Sequence, residues 1–114
     1  MVATPEVISQ IDDYLWAIHA ETQFLPALAQ DWDAESSENR AIWQYEWAEL
    51  MVNLDLLSEA YRAAQMTSVQ RARYLALIKD VHAALPMLHW LALSPPRFAL
   101  ADLTDLPTSP SQEP

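Results

Sequence analysis

Residues 37–65 read SENRAIWQYEWAELMVNLDLLSEAYRAAQ, and the spacing of their apolar residues decides the fold. Trp43, Trp47, Leu50, Leu54, Leu57, Tyr61 and Ala64 follow one another at alternating steps of four and three. Those steps place them on one side of an α-helix. A helix over this stretch runs roughly 40 Å at about 1.5 Å per residue, so its neighbours must be arranged along it. Ser36 and Ser37 are both suitable N-caps, and Glu38 falls near the positive end of the helix dipole.

The chain on either side reads as helix as well. Thr4-Pro5-Glu6 supplies a hydroxyl cap, a proline at the first helical position and an early acid. Ile8, Ile11, Leu15, Ile18, Thr22, Leu25, Ala29 and Trp32 then carry a helical stripe, which predicts a first helix from Pro5 to about Asp31. Pro26 lies inside it and predicts a kink or a restart. The short link 33–37 makes the first two helices antiparallel neighbours. The long helix is expected to end around 63–65, and Thr67-Ser68-Val69-Gln70 is a capping box opening a third. Tyr74, Ile78, Val81, Leu85, Leu88 and Ala92 form the third stripe, with Pro86 inside it and Ser94-Pro95-Pro96 ending it. Both flanking helices thus hold a Leu-Pro, and a bend is predicted at each. Phe98, Leu100, Leu103 and Leu106 mark a segment expected to dock back on the body.

The fold class is all-α: a three-helix bundle, with a long central helix flanked by two proline-kinked helices. Residues 1–106 form its single domain. Residues 107–114, rich in proline and serine, are read as a disordered tail. A second apolar set on the central helix (Ile42, Met51, Leu56), with Leu75 and Leu77, leaves helices apolar on more than one side. Either a homodimer, the expected state, or a dedicated partner completes a larger bundle, or the 98–106 segment covers the surplus.

Composition removes several function classes. The chain of 114 residues has no glycine, hence no Gly-rich phosphate loop and no Gly-flanked nucleophile elbow. It has no cysteine, which excludes disulfides and thiolate chemistry. The opening residues carry neither a basic region nor an apolar core, so no signal peptide is expected. The charge-free run 81–96 is too short to cross a bilayer, so no membrane association and a cytoplasmic location are expected. The net charge of −10 disfavours direct nucleic-acid binding. Its distribution is uneven: residues 1–59 hold every acid but four against Arg40 alone, while residues 60–101 are net basic. The halves attract one another within the bundle, or a basic partner, or a second copy's basic helix, docks on the acidic half.

Candidate chemistry is sparse. His82 and His89 lie two turns apart, too far for one metal ion without a partner helix. Glu46, Glu49 and Asn53 line one edge of the long helix, with Glu21 of the first helix a fourth acid that no spacing ties to them, and no Glu-x-x-His accompanies them as helical di-metal sites require. No cofactor or metal ligand set is therefore assigned. Among five tryptophans, Trp43 and Trp47 sit on the central stripe and Trp32 near the same end, predicting one aromatic cluster. Trp16 sits off the first helix's stripe beside His19, a position that suits an interface. The expected function is a small acidic protein–protein interaction module with no catalytic machinery. Trp16, His19, Trp32, Trp43, Trp47, Glu46, Glu49 and Asn53 are its candidate interface residues. The alternative is an acidic regulator occupying a partner's basic, nucleic-acid-binding groove. A metal-dependent helical hydrolase on these acids is a third reading.

Overall fold

The computed structural model describes residues 4–105, and the expected disordered tail at 107–114 lies outside them. Those residues form four α-helices: α1 (Pro5–Asp31), α2 (Ser37–Arg62), α3 (Ser68–Ala83) and α4 (Leu85–Trp90). Short 3-10 segments follow α1 at Trp32–Ala34 and close the described chain at Ala99–Asp105. No strand occurs among the described residues. The class is all-α.

The helix starts follow from local chemistry. Thr4 Oγ1 accepts from the Val7 amide at 3.3 Å, and Ser36, rather than Ser37, caps α2 by accepting from the Asn39 amide at 3.1 Å. The capping box is formed in both directions, the Thr67 hydroxyl and the Gln70 side chain each meeting the other's backbone N–H at 3.1 Å. Gln70 does more than cap. Its amide nitrogen donates to the Ile8 carbonyl at 2.8 Å and to Asp12 Oδ1 at 2.9 Å, pinning the start of α3 to α1.

The two internal prolines act differently. α1 continues unbroken through Pro26, so no restart occurs there. At Pro86 the predicted third helix divides: α3 ends at Ala83, and α4 begins with the proline in its first turn. Proline lacks the N–H that a continuous helix would need there, whereas the first turn of a new helix does not use it.

Without glycine, the helix ends place alanine in the left-handed region. Ala64 has φ 59° and Ala92 has φ 57°. After α2, Gln65 N donates to Ala60 O at 2.9 Å and Ala64 N to Tyr61 O at 3.1 Å. After α4, Leu93 N donates to Leu88 O at 2.8 Å and Ala92 N to His89 O at 3.1 Å. Both are Schellman closures with alanine where glycine is the usual occupant.

The core fills one side of α2 as the stripe predicts, with Trp47, Leu54, Leu57 and Tyr61 buried. Facing them are Ile11, Leu15, Ile18 and Leu25 of α1 and Tyr74, Ile78 and Val81 of α3. Each such side chain contributes about 1.5–3 kcal/mol by leaving water. α1 packs against both α2 and α3, and the Ala99–Asp105 segment packs against the same two helices. That segment takes the place a fourth helix would hold.

The stretch 91–105 runs beside α2 in the same direction, held by polar groups one after another. Gln44 donates to the Leu91 carbonyl at 3.4 Å and the Trp47 indole N–H to the Ser94 carbonyl at 2.8 Å. The Asp55 carboxylate accepts the amides of Arg97, Phe98 and Ala99 at 2.8, 2.8 and 2.9 Å. Asp102, only 3% exposed, accepts from Ser58 Oγ at 2.7 Å, from the Tyr74 hydroxyl at 2.6 Å and from Arg62 Nε at 2.8 Å. Burial, reinforced by the bond to Asp102, pushes the Tyr74 phenol well above its usual range. It therefore stays a neutral donor to the carboxylate.

Candidate functional site

The predicted site residues other than Trp32 divide between two cavities that border α1. Trp16 and His19 line a cavity of about 350 Å³ between α1 and α3, together with Asp12, Arg73 and Asp80. Trp16 is 75% exposed, as its off-stripe position implies. Trp43, Glu46, Trp47, Glu49 and Asn53 line a second cavity, of about 340 Å³, between α1 and α2. Glu21 reaches this second cavity from α1, completing the row that α2 begins.

Trp43 and Trp47 of the expected aromatic cluster line one cavity, and no two of Trp32, Trp43 and Trp47 stack among the described residues. Trp43 instead stacks on Phe24 of α1, with centroids 5.5 Å apart and planes 17° apart. Trp32 is buried at the turn, where the Arg40 guanidinium lies 5.4 Å over its ring and donates to its carbonyl at 3.0 Å. Trp47 turns its indole N–H away to Ser94. Phe24 of α1 supplies the ring on which Trp43 stacks, and the 91–94 turn supplies the acceptor for Trp47.

The electrostatics of the second cavity are unbalanced. Glu46 and Glu49 are exposed at its rim, and Glu21 Oε2 is shut off from solvent with no hydrogen-bond partner. The Glu21 residue as a whole is half-buried. Among the described residues, the α3 bases Arg71, Arg73 and Lys79 form no ion pair with the acids of α1 and α2. Arg71 lies instead 5.0 Å over the Tyr61 ring. The charge separation along the chain is therefore not spent on direct pairing between these elements. Nor do any three His, Asp or Glu side chains among the described residues converge as a metal site requires.

A further feature was only partly legible in the sequence. Of the second apolar set, Met51 and Leu77 are buried and Leu75 is half-buried, but Ile42 and Leu56 are exposed. Tyr45 and Val52 join them at steps of three, seven and four, forming a solvent-facing row on the side of α2 opposite the core. Glu38, Glu49 and Glu59 continue the same row. Its signal was available as a second heptad spacing offset from the first.

No protein-family model, curated protein or solved structure matches the chain. No helix among the described residues is long and apolar enough to cross a membrane.

Proposed function

We propose that the chain is a protein–protein interaction module that seats a basic amphipathic helix along the outer face of α2. One observation carries this reading: Ile42, Tyr45, Val52 and Leu56 are 55%, 67%, 59% and 45% exposed in a single helical row. A row at heptad steps is the complement of a helix that presents anchors at i, i+3 or i+4, and i+7. Charge decides which helix. Glu38, Glu49 and Glu59 lie in the row and Glu46 beside it, while the two bases of α2 are engaged, Arg40 at Trp32 and Arg62 at Asp102. A partner therefore has to bring cations next to its apolar anchors.

A homodimer through this face would set the acidic row against its own image, with no free base on the row to offset it. The surplus that motivated a dimer is also reduced, because the segment after α4 covers the opposite side of α2. A basic helix of a different protein fits both facts.

The test is a photo-crosslinking side chain placed at Val52, with the exposed Val69 of α3 as control, in the cell that makes the protein. The expected product is a crosslink specific to position 52 that maps to a helical peptide combining apolar residues with Lys or Arg. A crosslink to a second copy of this chain, or equal yields at 52 and 69, would contradict the reading.

A further inference from the structure

We infer that the helix seated on α2 carries a Lys or Arg at one seam position, opposite Glu49, and that this single pair fixes its register. The inference rests on the docking reading and deepens it, from a basic helix in general to one sequence pattern.

From Glu38 to Glu59 the exposed row advances by alternating steps of four and three, through Ile42, Tyr45, Glu49, Val52 and Leu56. In such a row every member is a seam position, where a docked helix packs side chain against side chain. The three acids are not equivalent within it. Glu38 and Glu59 stand at its two ends, on the rim, where a carboxylate stays in water when the face is covered. Glu49 stands in the middle, with two apolar residues before it and two after it. Its immediate neighbours, Tyr45 and Val52, are 67% and 59% exposed, so they are the surface a partner has to cover. A helix that covers all four apolar residues covers Glu49 with them.

A carboxylate covered without a partner is strongly unfavourable. Among the described residues Glu49 makes neither hydrogen bond nor ion pair, and the two bases of α2 are engaged at Trp32 and Asp102. The cation therefore comes from the docked helix. Glu46 lies one turn before Glu49, so a base opposite Glu49 meets two carboxylates. A slip of the partner by one seam position would set an apolar side chain against Glu49 and the base against Tyr45 or Val52. Both halves of the pair are then lost, which is how a single polar seam position selects one register between helices. The pattern required of the partner is two apolar anchors, a base, and two more apolar anchors. Their steps run three, four, three, four if the partner lies parallel to α2, and four, three, four, three if it lies antiparallel.

The probes are synthetic helical peptides of about 21 residues on an alanine and lysine background, dye-labelled and titrated with the full chain by fluorescence anisotropy. Each carries four leucine anchors and either Lys or Leu at the central seam position. The leucine-centred peptide has its displaced base on the solvent side, so the net charges are equal, and each pair is made in both spacings. In one spacing the lysine-centred peptide should bind the parent at least about tenfold more tightly than its leucine-centred isomer, although leucine offers more apolar surface. Glu49→Leu, at an exposed position, should reverse that order. Glu38→Gln and Glu59→Gln should weaken both peptides alike and leave the order intact, because rim charges set attraction and not register. Equal affinity of the two isomers for the parent in both spacings, a preference for leucine, an order unchanged by Glu49→Leu, or a reversal by Glu38→Gln or Glu59→Gln would each overturn the inference.

Failure of the docking reading looks different. In that case no peptide saturates on the parent, or Val52→Glu/Leu56→Glu binds both isomers as the parent does, and either result takes the register down with it.

Discussion

Replacing Asp102 by alanine should cost the fold about 3 kcal/mol and free the closing segment from α2 and α3. The magnitude follows from what the carboxylate holds. Ser58 is 1% exposed and Tyr74 0%, and both hydroxyls donate to Asp102 Oδ2. Stranding a buried donor costs about 1–3 kcal/mol, and here two are stranded at once. The two hydroxyls lie close enough to turn toward one another, which places the sum in the lower half of that range. The Arg62 side chain is 51% exposed, so its ion pair adds little. Against a total stability of about 5–15 kcal/mol, the loss is large, a fall in Tm of roughly 15 °C for a domain of this size. Urea unfolding followed by far-UV circular dichroism gives the stability. Limited trypsin digestion reads the segment itself, because cleavage after Arg97 should accelerate more than cleavage after Arg73. Asp102→Asn retains an acceptor and should fall between parent and alanine variant. A cost below about 1 kcal/mol for Asp102→Ala, with tryptic cleavage after Arg97 unchanged, would refute the view that this carboxylate closes the bundle.

Ala64→Gly and Ala92→Gly should each stabilise the chain by about 0.5–1 kcal/mol, read as a Tm increase, since both positions already hold positive φ. Asp55→Ala removes the acceptor for three amides at 97–99 and should cost about 1–2 kcal/mol, the scale of a lost helix cap, measured by the same urea titration. Tyr74 sets an alkaline limit. Its folded pKa lies above the unfolded value of about 10, so its contribution is fully present below that pH and is lost above it as the unfolded state ionises. The parent should therefore lose about 1.4 kcal/mol per pH unit above pH ~10 relative to Tyr74→Phe, a difference that paired unfolding curves at mildly and strongly alkaline pH will show.

The parts of the fold that rest on local chemistry were readable from the sequence. Thr67 and Gln70 are three residues apart, and the box they form needs nothing else. The stripe of α2 was readable for the same reason, because its period is a property of one helix. What was not readable depends on pairing across distance. Asp55, Ser58 and Asp102 are ordinary residues in the sequence, and their roles appear only when a segment 44 residues away along the chain lies against α2. Pro86 was read as a bend because the apolar steps continue through it, yet the missing N–H ended the helix and began another. At the candidate site, Glu46, Glu49 and Asn53 were visible as one edge, and Glu21 was a reasonable fourth. The exposed row is half visible in the sequence: helical spacing groups Ile42 and Leu56 with Met51, which the core claims, while Tyr45 and Val52 lie beside the stronger stripe.

The outer face of α2 is proposed as a receptor for a basic helix. Its most direct test is a calorimetric titration of the peptide mapped by the Val52 crosslink, run at two salt concentrations against the parent chain and Val52→Glu/Leu56→Glu. Binding to the parent should weaken as salt rises, as an acid-rimmed face requires, with none detectable to the double variant. Equal binding to both proteins, or binding indifferent to salt, would contradict it.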